Sequence, residues 1–308
     1  MGMAKIASAC RFWLLAIVLA CTAVANAAGD PPSFTYRTKV GEVRLIFSAL
    51  DQNNHGVATL NAADFAVVDK SFIVRNFQSF TRADWTKVEV AVVIDASESV
   101  RPQFGQEVSD TLNLLSQTAG VPDENFSIFS FQSQKPALLC SGNCRASGIA
   151  NHPPASPEGG LTPLFDTLLY ASSYLSQHGD KHGAKILVLF SDGNDTISLH
   201  SLADAIDGAV NAEIQIYCIS LETSSSPRQG KIVLDALSGA TGGLVFPANA
   251  GADAVEQAIL ENFRATYTVT YHLPTHSAGF HRVRILPTRN VNLQFHSRSG
   301  YYYPARMD

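Results

Sequence analysis

The chain has 308 residues, of which 46% are hydrophobic and 16% charged, and its formal net charge at pH 7 is -5. This composition is typical of a soluble globular protein with one large domain or a medium and a small one, and it excludes low-complexity and disordered classes. Because no basic stripe stands out, the sequence argues against nucleic acid or an anionic membrane surface as the partner.

Residues 1–27 have the pattern of a cleaved export signal. Lys5 and Arg11 are basic, Phe12–Ala20 is a short apolar run, and Ala25–Ala27 reads Ala-Asn-Ala. A basic region, an apolar core and a small-residue cleavage site are the three parts of such a signal. We therefore expect a secreted, periplasmic or cell-envelope protein without a membrane span in its mature chain. A retained membrane anchor is the alternative, although the apolar run is short for one.

The cysteines agree with an oxidising compartment and leave two alternatives open. Cys21 follows Val-Leu-Ala and partly resembles a lipid-attachment site, which is the less favoured alternative to plain secretion. The close pair Cys140 and Cys144 predicts a disulfide within one loop. A zinc site formed by this pair with His152 lacks an obvious fourth ligand. Cys218 lies in an apolar run, which predicts a buried thiol.

The first segment after the export signal, residues 34–86, has the alternating pattern of β-strands, and so does the last, residues 266–304. Neither segment has enough strands for a stable sheet alone, so we expect both to pair into one small β-sandwich. Two separate β appendages are the alternative. The alternating apolar residues are Val43, Leu45, Phe47 and Ala49 in the first segment and Tyr267, Val269, Tyr271 and Leu273 in the last.

The middle segment, residues 87–265, alternates strand-like and helix-like runs. Its near-continuous apolar runs are typical of strands that are covered on both faces. The predicted fold class is therefore α/β, a doubly wound mainly parallel sheet inserted in the small all-β sandwich. Strands are expected at 87–95, 125–131, 185–192, 212–220 and 243–246, and helices near 108–115, 164–175, 202–210, 231–237 and 255–263.

Three parts of the middle segment supply oxygen-bearing side chains at predicted strand or helix ends. Asp95, Ser97 and Ser99 follow the strand 87–95, Thr162 precedes a helix, and Asp192 ends the strand 185–192. In open sheets with parallel strands, ligands bind beyond the carboxyl ends of the strands. Two carboxylates and three hydroxyls are hard ligands that suit Mg²⁺, with Mn²⁺ or Ca²⁺ possible. The sequence therefore predicts a divalent metal site at this edge.

Each of these groups also has an ordinary structural explanation. Asp95 and Ser97 are typical of a turn with local hydrogen bonds, and Asp192 with Gly193 is a plausible turn. Thr162 before Pro163 fits a helix N-cap. The three parts occurring together favour the metal site. The histidines have no metal-like spacing and are expected on the surface.

The same motifs resemble a known family. Asp-Ala-Ser-Glu-Ser at 95–99, Gly-Leu-Thr-Pro-Leu-Phe-Asp at 160–166 and Phe-Ser-Asp-Gly at 190–193 resemble the metal-ion-dependent adhesion site of von Willebrand factor type A domains. Val57–Phe65 and Gly300–Pro304 resemble segments of its secreted bacterial subgroup. The resemblance implies that Ser97, Ser99 and Thr162 are direct metal ligands and that Asp95 and Asp192 act directly or through water. Glu98 replaces the small residue common in the family.

The predicted function is an extracytoplasmic protein-binding module for adhesion or assembly, in which the metal coordinates an Asp or Glu of a protein partner. The long loop Gln132–Gly160 leads into Thr162 and is expected to select that partner. A structural envelope component with a stabilising metal is the first alternative. A metal-dependent hydrolase is the weaker one, because no hydroxyl has an identifiable base and no nucleophile elbow occurs. We therefore expect no catalytic residues.

Overall fold

The computed structural model describes residues 41–53, 55–83, 88–96, 109, 123–132, 135–144, 161–181, 183–221, 228–247 and 250–303. These residues all belong to one compact unit, Tyr36–Asp308. The predicted export signal, the possible lipid site Cys21, the ligands Ser97 and Ser99, and Glu98 and His152 lie outside the described residues. Within the described part, no helix combines the length and the apolar character needed to cross a membrane.

The described part of the chain forms three sheets and four α-helices. The helices are α1 (Leu164–His178), α2 (Leu202–Asn211), α3 (Arg228–Thr241) and α4 (Ala252–Arg264). The strands are β1 (Glu42–Leu50), β2 (Phe65–Asp69), β3 (Phe72–Val74), β4 (Ser79–Arg82), β5 (Val88–Ile94), β6 (Phe126–Gln132), β7 (Lys135–Ser141), β8 (Ala184–Ser191), β9 (Ile214–Ser220), β10 (Val245–Pro247), β11 (Thr266–His272), β12 (Gly279–Pro287), β13 (Gln294–Ser297) and β14 (Gly300–Tyr303).

The central sheet has six strands in the order β10-β9-β8-β5-β6-β7. Its neighbours run parallel except β7, which is antiparallel to β6. Successive side chains of β5 enter different cores: Val92 belongs to the apolar core that includes Ile259 of α4, whereas Val93 belongs to the core that includes residues of α1, α2 and α3. Burial on both sides explains why the strand sequences are almost continuously apolar.

Helix α1 shows how the apolar spacing produces a buried face. Leu164, Leu168, Ala171 and Leu175 are all buried, and their spacing of three or four residues places them on one side of the helix. The helix begins at Leu164 with Pro163 at its N-cap, and no side chain of that residue caps it. Thr162 is therefore not the N-cap that its sequence context suggested, so this structural explanation of Thr162 is wrong.

Two four-stranded antiparallel sheets combine the first and last described segments of the chain. One has the order β13-β1-β11-β4 and the other β14-β12-β2-β3. Leu45 of β1 pairs with Val269 of β11, and Val67 of β2 pairs with Ile285 of β12. The inward side chains of both sheets share one core, in which the rings of Phe47 and Phe65 lie 5.0 Å apart.

The predicted fold class, an α/β doubly wound mainly parallel sheet, is wrong for this chain. Strand makes up 42% and helix 26% of the structure, and the sheets are mixed or antiparallel. Eight of the fourteen described strands belong to the two antiparallel sheets. The physical reason is that apolar spacing along the middle segment reveals its helices clearly, whereas short strands such as β3 and β13 carry few residues to reveal a period.

The shared core of the two antiparallel sheets contains a polar group that the sequence analysis placed wrongly. His281 was expected on the surface, but it is completely buried, as is Asp69. Its Nδ1 lies 3.2 Å from Asp69 Oδ1, and its Nε2 lies 2.7 Å from the carbonyl oxygen of Ser277. Tyr271 and Tyr301 both donate to Asp69 Oδ2, at 3.0 and 2.5 Å. A buried histidine is tolerated here because both ring nitrogens have partners.

The cysteines follow their predicted roles. Cys140 and Cys144 form a disulfide in which the Cα atoms lie 5.4 Å apart, at the end of β7. Because both thiols are consumed, this pair offers no thiolates for the alternative zinc site. Cys218 on β9 is free and fully buried, as its apolar surroundings predicted, and burial raises the pKa of its thiol far above the usual value.

Candidate functional site

The candidate site lies where β5 and β8 end side by side. Because Ile94 pairs with Phe190 in the parallel register, Asp95 comes next to Ser191, and Asp192 follows one residue later. The backbone N–H of Asp95 extends this pairing by donating to the carbonyl oxygen of Phe190 at 2.8 Å. Two carboxylates distant in sequence thus follow adjacent strand ends, as the strand pattern predicted.

The carboxylate of Asp95 is held by a residue that the sequence analysis did not select. Ser191 donates its hydroxyl hydrogen to Asp95 Oδ2 at 2.6 Å, and both residues are almost completely buried. The same hydroxyl oxygen accepts from the backbone N–H of Gly193 at 3.0 Å. Ser191 therefore links the end of β5 to the turn that carries Asp192.

Asp192 occupies a tight turn after β8. Its Oδ1 accepts from the backbone N–H of Asn194 at 2.9 Å and its Oδ2 from the side-chain amide of the same residue at 2.9 Å. The carboxylate is nevertheless almost inaccessible, because Asp192 is only 2% exposed. In the described part of the chain, no Lys, Arg or His side chain forms an ion pair with it.

The turn requires glycine because it packs directly against the start of α3. Gly193 has φ of +80°, a conformation that residues with a side chain rarely adopt. A Cβ at Gly193 would lie 2.2 Å from the carbonyl oxygen of Gly230, and a Cβ at Gly230 would lie 2.0 Å from the carbonyl oxygen of Asp192. This contact between two glycines fixes Asp192 against α3 without any side chain between them.

Thr162 is joined to the segment that follows Asp192. Its backbone N–H donates to Thr196 Oγ1 at 2.6 Å, and its carbonyl oxygen accepts from the backbone N–H of Thr196 at 2.9 Å. These contacts use the backbone of Thr162 and leave its own hydroxyl out of them. The residue is only 3% exposed, so its side chain lies within the protein at the entry to α1.

Further contacts attach the segment after Asp192 to the first turn of α1. The backbone N–H groups of Phe165 and Asp166 donate to Asp195 Oδ1 at 3.2 Å and to Ser198 Oγ at 3.1 Å. In return, Asp166 accepts from the backbone N–H groups of Leu199 and His200 and from His200 Nδ1. Desolvation raises the pKa of Asp166, but these hydrogen bonds together outweigh it, so its pKa lies below the usual value.

The structure thus places Asp95 and Asp192 after adjacent strands and bonds the backbone of Thr162 to Thr196, four residues after Asp192. Ser97 and Ser99 lie outside the described residues. Sequence reasoning missed Ser191, Asn194 and Thr196, which orient these residues. Asn194 had a signal, because an amide two residues after an aspartate is typical of a local turn. Ser191 and Thr196 had none, because their partners are 96 and 34 residues away in the chain.

The chemistry of the described donors suits a hard cation. Among the described residues, no group of three or more His, Cys, Asp and Glu side chains is placed to hold a metal. The candidate set has only two carboxylates and depends on hydroxyls for its other ligands, which is the oxygen chemistry of Mg²⁺ and Ca²⁺ rather than of zinc. Among the described residues, the buried carboxylate of Asp192 receives only neutral amide donors, which fits a nearby cation.

No protein-family model matches the chain, and no curated protein matches it. Among solved structures, it is similar to an aerotolerance-related membrane protein of Bacteroides fragilis, with 12% identity, a TM-score of 0.43, and coverage of 57% of this chain and 98% of that one. It is also similar to a conserved hypothetical protein BatB of Bacteroides thetaiotaomicron, with 12% identity, a TM-score of 0.40, and coverage of 56% of this chain and 97% of that one. Proximal thread matrix protein 1 of the mussel byssus has 14% identity, a TM-score of 0.44, and coverage of 63% of this chain and 49% of its own. Likeness at these TM-scores carries no functional conclusion.

Proposed function

We propose that this chain is an extracytoplasmic protein-binding module that holds one divalent cation, with Mg²⁺ favoured, and uses it to bind an acidic residue of a protein partner. Asp95, Thr162 and Asp192 would hold the ion together with Ser97 and Ser99. When bound, the ion supplies a positively charged position that accepts an anionic oxygen from outside. The export-signal pattern of residues 1–27 supports an extracytoplasmic location.

One observation carries the metal proposal: Asp95 and Asp192 are both almost completely buried, and they follow the adjacent ends of β5 and β8. A buried carboxylate is costly unless a charged partner or several hydrogen bonds compensate it. The described partners of Asp192 are the two amide groups of Asn194, both neutral. A cation between the strand ends would compensate both acids.

Two further features favour binding over catalysis. The motifs around Asp95, Thr162 and Asp192 resemble the metal-ion-dependent adhesion site, in which hydroxyl ligands leave the ion much of its charge. The described neighbours of Asp95 and Asp192 are hydroxyl and amide groups, and neither His200 nor another described histidine bonds to them. The described part of the site therefore offers oxygen ligands for an ion and no histidine placed to take up a proton.

The test is calorimetric titration of Mg²⁺, Mn²⁺ and Ca²⁺ into the metal-stripped mature protein. We expect saturable one-site binding that Asp95→Ala and Asp192→Asn abolish. Thr162→Val, which replaces the hydroxyl by a methyl group of similar size, should weaken binding without changing the thermal transition of the metal-free protein. Asp235→Ala is the matched control, because Asp235 is exposed on α3 and forms a surface ion pair with Lys231.

Absence of saturable binding by the wild-type protein would overturn the proposed metal site. If the metal binds, capture of envelope proteins with and without chelator tests the second half of the proposal. Metal-dependent capture that Asp192→Asn loses while the variant stays folded supports a binding module. Loss of folding stability without any metal-dependent capture would instead support a purely structural ion.

A further inference from the structure

We infer that the outer face of the sheet β14-β12-β2-β3 is a second docking surface, which binds an acidic protein surface without a metal. This face, called the arginine face below, lies on the antiparallel sheets and is separate from the strand ends that carry Asp95 and Asp192. Its exposed members are Ile73, Phe280, Arg282, Arg284, Leu286 and Tyr302.

Strict alternation along β12 creates the arginine face. His281, Val283 and Ile285 are buried in the core between the two antiparallel sheets, so the intervening side chains point to the opposite side. On that side the sheet pairs Phe280 with Tyr302, and their rings lie 5.1 Å apart. Apolar and basic side chains therefore follow one another along the outward side of β12.

The apolar part of the face is unusually exposed for large side chains. Ile73 is 64% exposed, Leu286 43%, Tyr302 42% and Phe280 39%. Single exposed apolar residues are normal on protein surfaces, but these four share one face of a single sheet. Grouped exposure of this kind marks a surface that a partner covers.

The charged part of the face has one sign. Both charged side chains that β12 presents there are arginines, Arg282 and Arg284, although the whole chain has a formal net charge of -5. Among the described residues, neither guanidinium has a carboxylate partner in an ion pair. At the edge of the face, the hydroxyl of Tyr302 bonds to Asp207 of α2. The two unpaired guanidinium groups are complementary to carboxylates of a partner.

The mixture of residue types favours a protein as that partner. Aromatic residues and arginine are enriched in protein interfaces, where they supply most of the binding energy. The aliphatic side chains Ile73 and Leu286 gain from desolvation against apolar residues. A polysaccharide offers few such residues. The expected partner is therefore an acidic protein surface that also carries apolar side chains.

The experiment measures binding of the fluorescently labelled copolymer poly(Glu,Tyr) to the mature protein by anisotropy, with EDTA present so that no metal contributes. We expect the double variant Arg282→Glu/Arg284→Glu to weaken binding at least tenfold. Ile73→Ser/Leu286→Ser should weaken it several-fold while the charge is unchanged. Lys135→Glu/Lys181→Glu is the matched control, because it reverses two exposed charges elsewhere and should leave the affinity within twofold.

Three outcomes would overturn the inference: no binding by the wild-type protein, equal weakening by both charge-reversal variants, or preference for vesicles with 30% phosphatidylglycerol or for heparin over the copolymer. Circular dichroism and thermal melting of each variant establish that the sheets remain folded. Because the measurement is made without metal, its failure leaves the proposed metal site untouched, and failure of the metal site leaves this surface untouched.

Discussion

The hydroxyl of Ser191 links the carboxylate of Asp95 to the turn that carries Asp192. It donates to Asp95 Oδ2 at 2.6 Å and accepts from the N–H of Gly193, the residue directly after Asp192. Groups that hydrogen-bond to metal ligands without touching the ion fix the direction of the ligand oxygens. Their loss therefore lowers metal affinity. Ser191 is thus expected to act as a positioning residue.

Ser191→Ala tests this role. It removes a buried donor to a carboxylate and should lower the free energy of unfolding by about 1–3 kcal/mol. Metal affinity should fall about tenfold or more, as is typical when a partner of a metal ligand is lost. Urea denaturation and calorimetric titration measure the two effects. Ser127→Ala on β6 is the control, since that buried hydroxyl bonds only to Ser141 among the described residues; equal metal affinity in wild type and Ser191→Ala would refute the positioning role.

Between Asp192 and α2, the chain forms a connection that holds the start of α1. Asp195 and Ser198 satisfy N–H groups of the first turn of α1, which would otherwise have no partner within the helix. Asp166 then binds the connection from the helix side through Leu199 and His200. The entry to α1, which carries Thr162, is therefore fixed by this connection rather than by a capping side chain of its own.

Asp166→Asn should loosen this connection. The amide retains the shape but loses the charge and one acceptor, so we expect a loss of about 1 kcal/mol in the free energy of unfolding at neutral pH. Desolvation raises the folded-state pKa of Asp166, but the hydrogen bonds with Leu199 and His200 outweigh it, so this pKa lies below its ordinary value of 3.8. Its contribution is therefore fully present above that value and disappears as the pH falls through the lower folded pKa. Denaturation at several pH values measures the difference between the two proteins.

The control for this pH dependence is Asp253→Asn, because Asp253 is also an acid in the first turn of a helix, α4, and is exposed. Both substitutions alter the charge near a helix N-terminus by the same amount. A wild-type advantage that persists unchanged well below pH 3.8, or an equal effect of the control, would contradict the assigned hydrogen bonds.

At the scale of elements, the spacing of apolar residues predicted the helices and strands whose pattern is complete within a short stretch of sequence. The spacing of Leu164, Leu168, Ala171 and Leu175 predicted α1, and the apolar run before Asp192 predicted β8. It did not predict the fold class, because the proportion of strand depends on short pairings such as β2 with β3. It also gave no signal for Thr196 or for the burial of His281, since both depend on partners far away in the sequence.

For the molecule as a whole, Arg298 connects the antiparallel sheets to the helices of the central sheet. Its guanidinium donates to the carbonyl oxygen of Val210 near the end of α2 at 3.2 Å and to that of Arg44 in β1 at 2.5 Å. Glu213 lies within 3.6 Å of it and also pairs with Arg44 at 2.7 Å. Because Arg298 is only 6% exposed, these contacts replace its hydration and cannot be exchanged easily for water.

Arg298→Met should therefore test whether the described unit unfolds as one. Removing the guanidinium leaves two carbonyl oxygens and Glu213 with fewer partners, so we expect a loss of about 3–5 kcal/mol in the free energy of unfolding. If the sheets are thermodynamically coupled through this contact, fluorescence and circular dichroism should report one shared urea transition in the wild type. In the variant, the two signals should separate into two transitions at lower urea. Arg284→Met, an exposed arginine on the same sheets, should shift neither signal. The contrary outcome is a single transition in Arg298→Met with a loss below about 1 kcal/mol in the free energy of unfolding. It would mean that the cores couple through their apolar contacts and that Arg298 serves only the local geometry of β1 and α2.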